Sequence, residues 1–175
     1  VTTDGVSRAL PPVFTVFATQ NPVEHEGTYP LPEAQLDRFL LKIMMPYPDA
    51  GAERGILDRY ADGFTADDPR TYGVQRVAGG SELQALREAA RAVHVEPAVR
   101  DYIVAIIRGT RDDPSFTLAA SPRAGVALFA AARANALLDG RDFVVPDDVK
   151  ELAAPVLRPR VRLTPEAEVA GENAD

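Results

Sequence analysis

Asn21 lies just after an apolar run and is the first candidate for phosphate chemistry. The run, Val13 to Ala18, is rich in β-branched and aromatic residues, and Pro22 follows the asparagine. Ligands of open α/β sheets bind at the carboxyl ends of the strands, where an amide can hold a water molecule or a phosphate oxygen. Asn-Pro is also a common turn dipeptide, so the spacing alone leaves both interpretations open.

An arginine at the end of a predicted short helix is the second candidate. Arg38 lies in the run LDRF, residues 36–39, between apolar neighbours. The planar guanidinium group suits phosphate recognition. In nucleotide hydrolases, an arginine from a neighbouring subunit stabilises charge on the phosphoryl group that is transferred. A salt bridge from Arg38 to Asp37 or Glu33 is the simpler interpretation when the run is considered alone.

A third candidate, Arg123, lies in the first turn of a predicted helix. Ser121 is placed to cap this helix and Pro122 to open it. A helix N-terminus is already positive, so a cation there is disfavoured by up to about 1 kcal/mol. A bound anion would remove the conflict. An acidic side chain nearby would remove it equally well.

The elements around the first two candidates predict part of an α/β core. Strands buried on both faces read as continuous apolar runs, and a strand, short helix and strand in succession are typical of the edge of a parallel sheet. The predicted elements are a hairpin over 1–10 with an Asp4-Gly5 turn, strands at Val13–Ala18 and Phe39–Met45, and helices over 32–38 and 49–60.

From residue 81 onward the pattern predicts four helices. They begin at Ser81, Pro97, Pro122 and Pro146. Ser81 and Gln84 form a capping-box pattern, and Gly140 ends the third helix. A strand over 161–163 follows, and we expect the acidic segment after Thr164 to be frayed. The arginines of the third and fourth helices are interpreted as solvated or interdomain faces: Arg133, Arg141, Arg158, Arg160 and Arg162.

Composition argues against several classes of protein. The 175 residues include no cysteine and carry a formal net charge of −7. Disulfides and thiolate metal sites are therefore excluded, and a cytoplasmic location is expected. The acidic balance argues against a nucleic-acid partner, and no apolar run approaches the roughly 20 residues of a membrane span. Glu24-His25-Glu26 is more typical of a solvated turn than of a metal site, so no metal ligands are predicted.

Two runs of the sequence together resemble one family. FATQNPVEHEGTYPLPEAQLDRF, residues 17–39, closely resembles the signature of MoxR-family AAA+ ATPases. SPRAGVALFAAARANALLDGRDFVVPDDVKELAAPVLRPRVRL, residues 121–163, resembles the helical lid of that family. The magnesium-chelatase ATPase subunit, which shares the LDRF element, is a related alternative.

The resemblance implies a fold class and a domain organisation. The fold is an α/β fragment of an AAA+ core followed by a mostly α-helical, four-helix lid domain. The expected bounds are 1–62 for the core part, 63–80 for a connector, 81–163 for the lid and 164–175 for a flexible tail.

The resemblance also implies roles for the three candidates. Asn21 is similar to sensor 1, which polarises the attacking water beside the γ-phosphate of ATP. Arg38 is similar to the arginine finger, which acts on ATP held by the adjacent subunit. Arg123 is similar to sensor 2, which is carried by the lid and serves the ATP of its own or of a neighbouring subunit.

The phosphate-binding loop of such an ATPase is not found in this sequence. That loop needs Gly-Lys-Ser/Thr, whereas Lys42 follows Leu41 and Lys150 follows Val149. No initiator Met is present either. We therefore expect a part of a longer protein, inactive alone, whose intact form binds ATP and Mg²⁺.

The resemblance implies an assembly and partners for the intact protein. We expect a homo-oligomeric ring, hexameric, that remodels or matures client proteins in a chaperone-like way together with a von Willebrand A domain protein. The rival hypothesis is a non-catalytic helical adaptor derived from an AAA+ protein. A nucleic-acid-binding module is a weaker rival.

Overall fold

The secondary structure of the chain is mostly helical. The computed structural model describes residues 2–11, 13–20, 31–68 and 72–173. The elements of these ranges are β1 (Thr2–Thr3), β2 (Val6–Ser7), α1 (Glu33–Leu36), α2 (Ala50–Ala61), α3 (Gly80–Ala92), α4 (Pro97–Asp112), β3 (Phe116–Leu118), α5 (Pro122–Leu138), α6 (Pro146–Leu157), β4 (Arg162–Leu163) and α7 (Pro165–Val169). None of the helices in these ranges is long and apolar enough to cross a bilayer.

The predicted N-terminal hairpin is confirmed. β1 and β2 pair in antiparallel register, with Thr2 opposite Ser7 and Thr3 opposite Val6. The two turn residues, Asp4 and Gly5, have φ angles of 53° and 76°. Asp and Gly tolerate this left-handed region, so the turn is encoded locally.

Both predicted buried strands are wrong for this structure. Residues 13–18 and 39–45 form no strand, and Phe17 and Met45 are 90% and 86% exposed. A parallel strand depends on hydrogen-bonded neighbours, and among the described residues the only pairings are β1 with β2, β3 with β4, and a bridge between His94 and Phe143. The apolar pattern encodes a tendency to be buried, but it does not supply the partner.

The core lies in the helical part and is organised around α5. This helix packs against α3, α4 and α6. Its buried side chains are small apart from one leucine, and they are Ala124, Ala127, Leu128, Ala131, Ala132 and Ala136. Helices approach each other more closely where the contacting side chains are small. The alanine-rich sequence of α5 therefore gives it the central position.

The helix starts at Pro97, Pro122 and Pro146 are confirmed, but the Ser81–Gln84 capping box is wrong. The helix α3 begins at Gly80, where the carboxylate of Glu82 accepts a hydrogen bond of 3.0 Å from the Gly79 N–H. The Gln84 side chain instead donates to Glu88 at 2.9 Å. A carboxylate three residues after Gly79 stabilises the earlier start because it satisfies an unpaired amide.

The end of the chain is also better ordered than predicted. Residues 165–169 form α7, where the Thr164 Oγ1 accepts from the Ala167 N–H at 3.2 Å. The sequence Thr-Pro-Glu is a helix start that the acidic composition of the tail concealed. β4, close to the predicted strand over 161–163, pairs with β3, which was not predicted.

A buried carboxylate fixes the start of α6. Asp148 is 2% exposed and accepts from the Val145 N–H at 2.8 Å. Its two oxygens also accept from both terminal nitrogens of Arg141, at 2.8 and 2.6 Å, and from Asn135 at 3.0 Å. One side chain therefore caps α6 and joins it to the end of α5.

Two glycines give opposite predictions for stability. Gly140 ends α5 with a φ of +74°. Gly140→Ala should lower the free energy of unfolding by about 1 kcal/mol because the new side chain is strained in the left-handed region.

Gly109 lies inside α4 and has open space for a Cβ. Gly109→Ala should raise the same free energy by about 0.5–1 kcal/mol. Urea unfolding followed by circular dichroism measures both, and shifts of the same sign would contradict the assignment.

Candidate functional site

Two of the three candidate site residues lie in the described part of the chain. Asn21 lies outside the described residues, as does the Glu24-His25-Glu26 segment. Arg38 and Arg123 are both described. The geometry of the site is therefore built from these two arginines and the residues that surround them.

Arg38 follows α1 and its side chain is exposed. The backbone continues the helix for three further hydrogen bonds of 2.9–3.1 Å, from the N–H groups of residues 37–39. Asp37 and Glu33, its possible ion-pair partners, bond instead to Arg160 and Arg162 at 3.0 and 2.9 Å. Within the part of the chain that the structure describes, the Arg38 guanidinium has no hydrogen bond or ion pair.

Arg123 contacts Asp37, the residue that precedes Arg38 in the chain. The Asp37 carboxylate lies 3.8 Å from the Arg123 Nη1, at the limit of an ion pair, and 60% of the Arg123 side chain is exposed. Of the two groups that could offset a cation at this helix start, a bound anion or an acidic side chain, the acidic side chain is therefore present. Contact at this distance and exposure is weak, because water screens it.

Ser121 occupies the position before α5, but its hydroxyl does not cap the helix. The Oγ donates instead to the Asp37 carboxylate, with 3.3 Å to Oδ2. The prediction of a serine cap is wrong because the charged acceptor of another segment competes for the hydroxyl. Charge-assisted hydrogen bonds are about twice as strong as neutral ones.

Arg160 is a residue of the site that the sequence did not single out. Its side chain is 2% exposed and its Nε donates to Asp37 Oδ1 at 3.0 Å. Burial lowers the pKa of the Arg160 guanidinium, and the carboxylate of Asp37 opposes that effect. Of the two interpretations given to this arginine, a solvated face is wrong, because the side chain is buried. Its position could have indicated a structural role, because Arg160 follows the predicted end of a helix. Basic side chains at that position can hydrogen-bond to the last carbonyls of the helix, which have no partner within it.

The end of α6 supplies the remaining contacts of this junction. The carbonyl of Pro155 would normally bond to the N–H of residue 159, but that residue is a proline and has none. The Lys42 N–H donates to this carbonyl at 2.8 Å. Residues 37–42 are thus attached to the end of α6.

Two family models and a named relative match the chain. The model described as the AAA lid domain matches residues 108–175, and that described as the ATPase family associated with various cellular activities (AAA) matches residues 1–41. The chaperone MoxR1 of Mycobacterium tuberculosis is 41% identical over 176 residues, which cover 95% of this chain and 45% of that protein. The chain belongs to the MoxR family of AAA+ ATPases.

Other relatives of this MoxR-family chain have a similar extent. YeaC of Bacillus subtilis is 42% identical over 175 residues, covering 100% of the chain and 53% of that protein. The protein MoxR of Methylorubrum extorquens is 34% identical, covering 88% of the chain and 49% of that protein. The chain spans about half the length of the curated relatives that it matches.

A solved structure supports the same fold. A Cytophaga hutchinsonii protein assigned as an ATPase aligns with a TM-score of 0.85 and 35% identity, over 99% of this MoxR-family chain and 54% of that one. The predicted fold class, an α/β fragment of an AAA+ core followed by a mostly α-helical lid domain, is confirmed. The domain bounds and the roles of Asn21, Arg38 and Arg123 remain predictions.

The ligand expected for the intact protein from the family resemblance is a nucleotide with Mg²⁺. The described residues fit the phosphate part of that ligand, since Arg38 is uncommitted and Arg123 is weakly held. They hold no cluster of three or more His, Asp or Glu residues that could bind a metal ion. This part of the MoxR-family chain thus presents two arginine side chains whose guanidinium groups suit phosphate.

Proposed function

We propose that the intact protein is a Mg²⁺-dependent ATPase that works as a homo-oligomeric, hexameric ring in the cytoplasm. The observation that carries the proposal is the state of Arg38, whose side chain is exposed and unpaired among the described residues while the backbone around it is fixed. An arginine that serves a neighbouring subunit needs both properties. It must be free of its own chain, and it must be held in a defined place.

Three residues complete the proposed site. Asn21 acts as sensor 1 and orients the attacking water, and Arg38 acts in trans as the arginine finger. Arg123 acts as sensor 2, in its own or a neighbouring subunit. Mg²⁺, when bound with ATP, neutralises charge on the phosphates, while the nucleotide-binding loop is proposed to lie outside this chain.

The proposed output of hydrolysis is chaperone-like remodelling or maturation of partner complexes. One relative, MoxR1 of Mycobacterium tuberculosis, is described as a chaperone. Client proteins and a von Willebrand A domain protein are the proposed partners. Both rest on the family resemblance, because no partner chain is part of this structure.

Arg123→Ala should lower kcat/KM for ATP while the protein remains folded. The contact of Arg123 with Asp37 is long and exposed, so a phosphate group can replace it at little cost. We expect kcat/KM for ATP to fall about 10-fold, since one charge-assisted contact is worth roughly 1.5–3 kcal/mol in a partly desolvated site. Steady-state phosphate release measures this, with Arg100→Ala, an exposed arginine on α4, as the control. Equal values for the two variants would contradict the sensor 2 role.

Phosphate release by the purified intact protein tests the proposed function itself. We expect turnover with ATP and Mg²⁺, loss of turnover when the metal is chelated, and a hexamer in native mass spectrometry. No turnover in an assembled ring would overturn the ATPase proposal and favour the non-catalytic adaptor. Turnover by monomers alone would overturn the role of Arg38 in trans.

A further inference from the structure

We propose that Arg160 is a positioning residue for Arg38: it fixes the main chain on both sides of the candidate arginine finger and anchors it to α6. The inference rests on the proposed function, because it assumes that Arg38 acts on nucleotide. It assigns a role to a residue of the helical domain that need not touch nucleotide itself.

Every N–H donor of the Arg160 guanidinium is used. The group has five donors in a planar arrangement. The Nε donates to the Asp37 carboxylate at 3.0 Å and Nη1 donates to the Leu40 and Val156 carbonyls at 3.0 and 2.5 Å. The Nη2 donates to the Asp37 carbonyl at 3.1 Å and to the Phe39 carbonyl. Four of the five contacts therefore go to the segment 37–40, and one goes to the end of α6.

These contacts bracket Arg38. The carbonyls of Asp37 and Phe39 belong to the residues immediately before and after it, and one nitrogen of Arg160 holds both. The backbone of Arg38 cannot shift without breaking at least one of these hydrogen bonds. A misplacement of about 1 Å in a group that acts on a transition state can cost roughly 100-fold in rate. Holding this backbone in place is therefore a requirement for the proposed action of Arg38.

Burial strengthens the hydrogen bonds that Arg160 makes with residues 37–40. The Arg160 side chain is 2% exposed, so water does not compete for its donors. By contrast, the nearby pair of Arg162 and Glu33, which joins β4 to α1 at 2.9 Å, is 63% and 47% exposed. Such exposed pairs contribute little. Two arginines that lie two positions apart therefore contact neighbouring parts of the chain, and only Arg160 does so from a buried position.

Asp37 extends the attachment to Arg123. Its Oδ1 accepts from Arg160, and its Oδ2 lies 3.3 Å from Ser121 Oγ and 3.8 Å from Arg123 Nη1. A movement of the start of α5 therefore acts on the carboxylate that Arg160 also holds. The candidate finger and the candidate sensor 2 share one positioning group.

Arg160→Lys in the intact protein separates positioning from charge. A lysine keeps the positive charge but has three donors on a tetrahedral ammonium, so it cannot reproduce the planar five-donor pattern. We expect kcat for ATP hydrolysis to fall about 10- to 100-fold, while KM and the dissociation constant for nucleotide stay within about twofold. Arg162→Lys is the matched control and should leave kcat, KM and nucleotide affinity unchanged.

Mixed rings provide the readout that a merely structural role would not produce. An arginine finger acts in trans, so the defect of Arg160→Lys should lie in what its subunit donates to the neighbour. Subunits with a disabled nucleotide-binding loop but intact Arg38 and Arg160 should restore turnover at the ATP sites of the Arg160→Lys subunits. The same loop-disabled subunits carrying Arg38→Ala should restore nothing.

The outcomes are distinguishable. Unchanged kcat in Arg160→Lys, or failure of the mixed rings to recover turnover, would overturn the positioning role. Loss of nucleotide binding or of folding together with turnover would also overturn it, because lid stability would then account for the effect. If Arg38→Ala itself keeps full turnover, the failure belongs to the proposed function rather than to Arg160.

Discussion

Arg38→Ala in the intact protein is expected to lower kcat for ATP hydrolysis by about 10³-fold or more, because fingers of this kind contribute roughly 10³–10⁵ to kcat. The exposed guanidinium makes no hydrogen bond or ion pair with the described residues, so we expect its removal to leave the fold intact. Nucleotide affinity should stay within about twofold, since a group that acts mainly on the transition state contributes little to ground-state binding. Phosphate release and fluorescent-nucleotide titration measure the two quantities.

Mixing separates this expectation from a simple loss of assembly. Arg38→Ala subunits and loop-disabled subunits should each be inactive alone, and a mixture should regain part of the turnover. Arg100→Ala, with the same change on the exposed surface of α4, should match the unaltered protein. Unchanged turnover in Arg38→Ala would exclude the finger role and leave Arg38 as a surface residue.

Asp148→Ala should produce the largest loss of stability among single changes considered for this chain. The carboxylate caps α6 and accepts from both Arg141 and Asn135 while only 2% exposed. Its removal leaves the Val145 N–H uncapped and takes the closest acceptor from Arg141 and Asn135, which are partly buried. Breaking a buried pair costs about 3–5 kcal/mol, and we expect the lower end of that range because Arg141 keeps its contact with Asp139. Urea unfolding should show a decrease of about 3 kcal/mol in the free energy of unfolding. Asp147→Ala, one position earlier and exposed, should change it by no more than about 0.5 kcal/mol.

Acid should abolish the contribution that the Asp148 carboxylate makes to the free energy of unfolding. The hydrogen bond from the Arg141 guanidinium is the main cause that lowers the pKa of Asp148 to about 2 from its ordinary value of 3.8. A lowered pKa in the folded state stabilises the fold fully above the unfolded value, and the effect is lost as pH falls from about 3.8 towards 2. The difference in unfolding free energy between the parent protein and Asp148→Ala should therefore shrink over this range. A constant difference would show that the ion pair contributes nothing.

Local signals in the sequence were sufficient for the turn and for the helix starts at Pro97, Pro122 and Pro146. Asp4-Gly5 sets its own backbone angles, and a proline such as Pro97 fixes the first turn of a helix without help from distant residues. The run Val13 to Ala18 failed as a strand because a strand needs partners that no local pattern supplies. Secondary structure was thus predictable where the cause is local.

The candidate site was predictable only as separate residues. Arg38 and Arg123 were recognisable from their runs, but their connection runs through Asp37 and Arg160, which are 123 positions apart. Nothing near Arg160 in the sequence indicates which carbonyls it meets. Ser121 shows the same limit, because a distant carboxylate redirected a hydroxyl that local rules assigned to a cap.

The two prolines near the end of α6 determine how the chain can vary at position 42. Pro159 leaves the carbonyl of Pro155 open, and the N–H of Lys42 fills it. That contact uses the main chain alone, so nineteen amino acids can make it and only proline cannot. Substitutions at position 42 can therefore accumulate across related proteins while the contact persists. A comparison of many relatives should show variety at this position, and proline should be rare.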